Sequence, residues 1–375
     1  MPPSRDTCPS DRSPPQASAH AAFRGKIGVA RADITPPVGI YARNWGAAEH
    51  DVAESIHRPL SLTALSLRSP ERPQPLLLVD TDLGWWRTLD TFRVFQRRLL
   101  DAFSVDPQSL LFALSHTHSA PTLTQSDTTL PGGHLLADFL DQVFEATVDC
   151  LRRAIDRETD GLLDWHAGDC QLASARDLRD PSDAGRRVIC GYDPTVPADT
   201  TLLVGRVTDP SGKIVATLVN YACHPTTLAW ENRAISPDFV GAMRETIETA
   251  TGGAPALFLQ GASGELAPRV QYVGDPRVAD RHGRQLGFAA LATLEDMHPP
   301  ATQLVFDRVV ESGAPLAVWR HQAVVPSTVL RAIDTHVDLP LKEWPTSDEL
   351  QRQCDTCRDR SLAERLHRQL HIPRA

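Results

Sequence analysis

The sequence predicts an α/β protein in which mixed β-sheets and flanking helices form one large domain. Short apolar runs of strand length alternate with longer segments of helical periodicity. No internal repeat or clear linker interrupts residues 25–330, which favours a single domain over 25–335. The chain of 375 residues is long enough to bury a substantial core.

The elements are predicted from the spacing of apolar residues and from the turn residues between them. Alternating or continuous apolar runs bounded by Pro and Gly predict strands. These runs lie within 26–39, 60–69, 75–84, 109–119, 201–209, 213–224, 254–265, 302–312 and 315–325. Apolar residues at helical spacing predict helices at 89–103, 135–158, 239–250 and 281–297. Residues 175–200 are rich in Asp, Arg and Pro and are expected to be irregular.

The two ends of the chain differ from its middle. Residues 1–24 are rich in Pro and Ser and are predicted to be a disordered leader, and they contain no apolar stretch typical of a secretory signal. Residues 336–375 are charged and predicted to be helical. Seven scattered cysteines do not form a disulfide pattern, so reduced thiols and a cytoplasmic location are expected.

Charge and hydropathy argue against a nucleic-acid-binding surface and against a transmembrane segment. A formal net charge of -9 argues against a nucleic-acid-binding surface, which requires a basic face. No segment provides the roughly 20 continuous apolar residues of a transmembrane helix, so no transmembrane segment is predicted.

Three segments share one pattern, an apolar strand that ends abruptly in polar residues: 110–119, 214–227 and 254–269. In α/β proteins such strand ends gather at one edge of a sheet, where ligands bind. This would bring together His116, His118, His224 and Glu265. His116 and His118 are two residues apart and would point to the same side of an extended chain. The pair fits a zinc site, because imidazole is a preferred zinc ligand, but it also fits two hydrogen-bonded histidines at a strand end.

Four segments together resemble the neutral/alkaline, non-lysosomal ceramidase family. They are GVARADITPPVG (28–39), LSHTHSAPT (114–122), NYACHPTTLAWENRAISPDFVGAMRE (220–245) and LFLQGASGELAP (257–268). Each motif is weak alone, but the four occur in the family's order. The resemblance implies a ceramidase-like catalytic domain that hydrolyses the N-acyl bond of ceramide.

The resemblance also implies roles for individual residues. His116 and His224 would bind a catalytic Zn²⁺, and His118 would assist proton transfer near the scissile amide. Asp33 matches the family's N-terminal signature, and Arg186 lies where relatives often carry basic residues near the substrate. Chemistry agrees with these roles, because zinc polarises an amide carbonyl and lowers the pKa of its bound water to about 7.

The chain departs from the family pattern in two places. The family's GDVSP is GELAP here, so the active-site serine falls on Ala267, and Glu265 replaces the Asp as a candidate catalytic acid. The family completes its zinc site with a Glu and a Tyr from a later region, and this chain is expected to be truncated before them. Glu265, Asp80 and Asp82 are the candidates for a third ligand, and Asp82 also for substrate binding.

The sequence therefore predicts a zinc-dependent hydrolase that cleaves an N-acyl bond in a ceramide-like lipid or a related small molecule by zinc-activated water. The alternative is a catalytically degenerate relative that binds a lipid or a partner protein. An early end could leave an apolar face or a strand edge uncovered, so self-association is also expected.

Overall fold

The structure is a computed structural model that describes residues 22–124, 128–340 and 345–370. The predicted leader lies outside the described residues up to residue 21, whereas residues 22–24 already belong to the first strand. The strands are β1 (Ala22–Asp33), β2 (Ser55–Ile56), β3 (Ser61–Arg68), β4 (Leu76–Thr81), β5 (Leu110–Leu114), β6 (Thr159–Asp169), β7 (Ala173–Ala175), β8 (Asp177–Arg179), β9 (Val188–Cys190), β10 (Thr201–Thr208), β11 (Ile214–Tyr221), β12 (Ala234–Ile235), β13 (Ala256–Gln260), β14 (Leu266–Pro268), β15 (Thr302–Glu311) and β16 (Pro315–Ala323). The helices are α1 (Leu89–Phe103), α2 (Leu136–Asp156), α3 (Phe239–Ala250), α4 (Pro276–Glu295), α5 (Ser347–Thr356) and α6 (Arg360–Leu370).

Eight strands form one mixed sheet in the order β13-β11-β10-β6-β1-β3-β4-β5. The pairs β4–β5 and β11–β13 are parallel, and the other neighbours are antiparallel. The α/β fold class and the mixed sheet with flanking helices are therefore confirmed.

The two ends of this sheet approach each other. The carboxylate of Asp80 in β4 accepts a hydrogen bond of 2.8 Å from the backbone N–H of Phe258 in β13. Arg244 of α3 donates to Asp80 at 2.7 Å and to Asp82 at 2.6 Å, and also to the carbonyl of Ala256 in β13. We call this junction of β13 with β4 and β5 the seam.

Helices cover the sheet through apolar faces. The buried side of α2 carries Phe139, Val143 and Leu151 and packs on β1 and β3. This contact is close, because a Cβ at Gly28 would lie 1.9 Å from the carbonyl oxygen of Ala154. Helices α3 and α4 pack on each other and form a second core with the strands around β11 and β13.

Two strands of the sheet have positions that the sequence did not reveal. Strand β6 was not predicted, yet it is a central strand between β1 and β10. Strand β5 is the last strand in the order, and Leu111 on it is exposed. The sequence hides β6 because Gly161 and Gly168 interrupt its apolar pattern.

Helix α6 of the C-terminal segment lies beside the loop of residues 41–53, and α5 packs on α6. Helix α5 begins with a capping box formed by Thr346 and Glu349. In α6, Glu364 pairs with Arg43 at 2.5 Å, and Arg360 pairs with Asp51 at 3.1 Å. Within the described residues, no helix combines the length and the apolar character needed to cross a bilayer.

Candidate metal centre

Three histidines from distant parts of the chain meet at one end of the sheet. His116 and His118 follow β5, and His224 follows β11. One ring nitrogen from each lies within 4.8 Å of those of the other two. The Nε2 atoms of His118 and His224 are 3.3 Å apart. The predicted convergence of these strand ends is therefore present.

One distance in this cluster equals the separation of two ligands on a tetrahedral metal ion. With metal–nitrogen bonds of about 2.0–2.1 Å, neighbouring ligand nitrogens of a tetrahedral zinc lie about 3.3–3.4 Å apart. The separation of the His118 and His224 Nε2 atoms matches this value.

Backbone carbonyls hold two of the three rings in orientation. The Nδ1 of His116 lies 3.0 Å from the carbonyl oxygen of Gly84, and the Nδ1 of His224 lies 3.1 Å from that of Ser263. A carbonyl can only accept a hydrogen bond, so both Nδ1 atoms carry the proton and both Nε2 atoms carry a lone pair. Metal-binding histidines typically show this arrangement.

The backbone at His116 has a conformation that is rare for residues other than glycine. Its φ of 68° lies in the left-handed region, which costs a non-glycine residue about 1–2 kcal/mol. A side chain at Gly84 would meet the carbonyl oxygen of Thr117 at 2.7 Å, so glycine permits the close approach that supplies the Gly84 carbonyl to His116.

The three imidazoles are held neutral at pH 7. Burial is the largest cause that lowers the pKa of each ring, and the positive charge of Arg176 lowers all three further. The pKa of His224 falls to about 4. Neutral imidazoles present the lone pairs that a metal ion requires.

Aromatic rings line the cluster. Trp45 and Trp85 lie beside His118, with ring centroids 5.0 Å and 4.9 Å from the imidazole. Trp230 and Tyr272 stack on each other at 5.8 Å and both meet Trp45 edge-on. The cluster is therefore bordered by apolar surface.

Arg176 contributes the positive charge beside the histidines. Its Nε donates to the carbonyl of Gly264 at 2.9 Å, and its backbone N–H donates to the carbonyl of Glu265. These contacts hold the guanidinium against the loop that follows β13.

No protein-family model matches the chain. It is similar to the neutral ceramidase of Drosophila melanogaster, with 29% identity over 235 residues that cover 58% of this chain and 31% of that protein. It is also 25% identical to the neutral ceramidase of Pseudomonas aeruginosa over 259 residues, or 65% of this chain and 37% of that protein. The chain thus spans about a third of the length of these curated relatives.

Solved structures show the same fold. A ceramidase complexed with C2 superposes with a TM-score of 0.59 at 21% identity, over 77% of this chain and 47% of that one. The neutral ceramidase from Pseudomonas aeruginosa superposes with a TM-score of 0.58, also at 21% identity, over 78% and 48% of the two chains. The chain is therefore similar in sequence to neutral ceramidases and shares the fold of the ceramidase structures.

By the resemblance, the active-site serine of the ceramidases corresponds to Ala267, which is buried. Ala267 lies in β14 with no exposed surface. Ser263 is buried, and its hydroxyl accepts a hydrogen bond of 2.5 Å from the Nε2 of Gln260. Glu265 lies exposed in the loop before β14 and is not part of the histidine cluster. Its catalytic role stays a prediction.

Two predicted carboxylates of the ceramidase-like site lie elsewhere. Asp82 is buried, pairs with Arg244 and accepts hydrogen bonds from Ser61, and it lies outside the histidine cluster. Its role in substrate binding stays a prediction. Asp80 pairs with the same arginine. Asp33 accepts a hydrogen bond of 2.7 Å from the backbone N–H of Thr35 and thus caps the Pro turn. Asp33 and Asp82 line a separate cavity that includes no histidine.

The predicted substrate-binding role of Arg186 stays a prediction, and another arginine lies beside the histidines. Arg186 is exposed and pairs with Asp183 at 2.5 Å within its own turn. Arg176, ten positions earlier, acts on all three histidines instead. Both arginines fall in the segment expected to be irregular, where no periodicity separates one from the other.

Proposed function

We propose that this chain is a zinc-dependent hydrolase that cleaves an N-acyl bond in a ceramide-like lipid or a related N-acyl compound. The observation that carries the proposal is the convergence of three neutral imidazoles within 4.8 Å. The names of the relatives, both neutral ceramidases, support the choice of bond.

His116, His224 and His118 would together hold the metal. Catalytic zinc usually takes three protein ligands and leaves one position for water or substrate. No carboxylate among the described residues joins the cluster, since Asp80 and Asp82 are paired with Arg244. This gives His118 a ligand role in place of the proton transfer implied by the resemblance. Bound there, zinc supplies a Lewis acid for the amide carbonyl and lowers the pKa of water to about 7.

The remaining residues of the site would bind and orient the substrate. The guanidinium of Arg176 provides a positive charge beside the cluster, which favours an oxygen that gains negative charge during amide cleavage. Trp45, Trp85 and Trp230 provide apolar surface for the acyl chain or the base. Because Ala267 replaces the serine and the Ser263 hydroxyl is buried, water rather than a side chain would attack the carbonyl.

Ala267 also favours a second candidate function. A relative without the serine could hold the metal and bind a lipid or a protein partner without cleaving an amide. This alternative predicts the same metal content and no hydrolysis.

Zinc content and amide cleavage test the proposal. We expect about one zinc per chain by elemental analysis of the purified protein, and loss of zinc in a His116→Ala/His224→Ala variant. A His321→Ala/His336→Ala variant, with both changes at exposed residues, is the matched control and should keep its zinc. N-acylsphingosines of different chain length and short N-acyl amines are then the substrates to assay.

The outcomes separate the two functions. Zinc with amide hydrolysis supports the hydrolase, and zinc without hydrolysis of any of these substrates supports the binding relative. A folded parent protein that binds no zinc contradicts both the metal centre and the proposed reaction.

A further inference from the structure

A small cavity of about 10 Å³ lies against His118, apart from the other two histidines. Residues that line it include Asn44, Trp45, His118 and Asn232. Neither His116 nor His224 borders it.

Three buried polar atoms at this cavity have no hydrogen-bond partner among the described residues. They are the Oδ1 of Asn44, the Nε1 of Trp45 and the Nδ1 of His118. The orientation of the Asn44 amide is fixed, because its Nδ2 donates to the carbonyls of His118 at 3.3 Å and of Ala120 at 2.6 Å. Asn232, which also lines the cavity, is by contrast bonded to the Ser119 hydroxyl and to Ala234.

The three atoms form a complementary set. Asn44 offers an acceptor, Trp45 offers a donor, and the Nδ1 of His118 can serve as either. Each buried polar group left unpaired costs about 1–3 kcal/mol. A cavity of about 10–15 Å³ holds one water, and a buried water typically makes about three hydrogen bonds.

We propose that one buried water bridges Asn44, Trp45 and His118, and that Asn44 and Trp45 act through it as positioning residues for the His118 imidazole. The water accepts a hydrogen bond from the Trp45 indole N–H and donates one to the Asn44 carbonyl. The third hydrogen bond of this water is made with the Nδ1 of His118. The role of this ring as a metal ligand rests on the proposed function.

This water gives His118 a partner of a different kind from those of His116 and His224. The carbonyls of Gly84 and Ser263 fix the proton of their histidines on Nδ1. A water can either donate to the Nδ1 of His118 or accept from it. His118 is therefore the one ring of the cluster whose Nδ1 has a hydrogen-bond partner in either neutral tautomer.

The two tautomers correspond to two states of the site. Without metal, the Nε2–H of His118 donates to the Nε2 of His224 across 3.3 Å, and its Nδ1 accepts from the water. With metal, the Nε2 carries the lone pair, and its proton moves to Nδ1 and is donated to the water. The water makes three hydrogen bonds in both states.

A matched pair of tryptophan variants tests the positioning role. Trp45→Phe keeps an aromatic ring against His118 but removes the indole N–H that borders the cavity. Trp85→Phe makes the same change on a ring equally close to His118 that does not border the cavity. Competition with a chromophoric chelator should show zinc binding weakened about tenfold or more in Trp45→Phe, and no change in Trp85→Phe. Equal affinities in the two variants would overturn the positioning role.

Two direct observations keep the water testable even if a variant folds poorly. A high-resolution crystal structure of the zinc-free parent should show one ordered water within hydrogen-bond distance of all three atoms. The ¹⁵N shifts of the His118 ring should show the proton on Nε2 without zinc and on Nδ1 with zinc. An empty cavity refutes this inference, whereas failure to bind zinc with the water in place refutes only the proposed function.

Discussion

The imidazole of His282 is held neutral mainly by burial. It lies in α4 with 5% of its surface exposed, and its Nδ1 is 3.1 Å from the Thr227 hydroxyl. Burial, with a smaller effect from Arg281, lowers the pKa of His282 to about 4. The same ring in an unfolded chain has a pKa of about 6.5.

This difference predicts acid sensitivity. Between about pH 6.5 and pH 4 the unfolded chain binds a proton at His282 that the folded chain does not, so the free energy of unfolding falls as the pH falls. The expected contribution is about 3 kcal/mol by pH 4. Urea unfolding across this range should show a weaker pH dependence in His282→Gln than in the parent, whereas the exposed His321→Gln should match the parent. Parallel pH profiles for all three proteins would contradict the prediction.

The residues of the site differ in how far the sequence reveals them. His116, His118 and His224 each follow an apolar strand, and that local pattern is sufficient to select them. Asp82 shows the same pattern but lies outside the cluster, and its partner Arg244 is 162 positions away in sequence, so no local signal indicates that pair. Trp45 lies in a loop without periodicity, so only the folded chain reveals its place beside His118.

At the scale of elements, the Arg244 side chain connects α3 to the seam. Arg244 is buried between the carboxylates of Asp80 and Asp82, and it reaches the carbonyl of Ala256 in β13. Burial raises the pKa of Asp80 to about 6 even though the arginine opposes this effect. The arginine therefore compensates the charges of two buried carboxylates.

Removing this arginine should strongly destabilise the fold. Arg244→Met leaves two buried carboxylates without their partner, and we expect the free energy of unfolding to fall by about 3–5 kcal/mol. The control is Arg93→Met, which removes an exposed pair with Asp90 and should cost less than about 1 kcal/mol. Chemical denaturation of both variants measures the difference, and a cost for Arg244→Met no larger than that of the control would disprove it.

The elements with a strong local period were predicted well. Helices α1 and α3 begin and end at the predicted residues 89–103 and 239–250. Strand β6 was missed for a physical reason that involves other elements. A Cβ at its Gly168 would lie 2.0 Å from the hydroxyl of Thr293 in α4, so helix packing selects a glycine that local propensity disfavours in a strand.

At the scale of the whole molecule, the hairpin of β15 and β16 exposes several large apolar side chains: Phe306, Val309, Val310, Leu316 and Trp319. A two-stranded hairpin is marginally stable by itself in water, and exposed apolar strand surface promotes association. Self-association stays a prediction, and we propose this hairpin as the surface through which it would occur.

We expect sedimentation velocity to show oligomers that grow with protein concentration. Leu316→Lys places a charge on the hairpin and should shift the protein towards the monomer. Leu111→Lys, at an exposed position of β5 away from the hairpin, is the control and should sediment like the parent. A parent that stays monomeric at all concentrations, or equal effects of both variants, would contradict this use of the hairpin.

The order of strands in the sheet is what the sequence could not provide. Strand β5 follows β4 along the chain and pairs with it, which local reasoning favours, but the approach of β13 to β4 depends on contacts between residues far apart in sequence. Such pairings leave no periodic signal in either segment. The fold class was therefore predictable, whereas the closure of the sheet was not.

The seam has a consequence for how the protein reaches its finished state. One apolar core is built mainly from residues 30–154 and another from residues 170–297, and the histidine cluster draws His116 and His118 from the first and His224 from the second. Neither half could bind zinc in this way before the other had docked. A bound ion would favour only the closed chain, by RT ln(1 + [Zn]/Kd). During refolding, zinc would therefore be taken up only at the last step, when the two halves dock. A chain cleaved between the halves would release its metal when the two pieces separate.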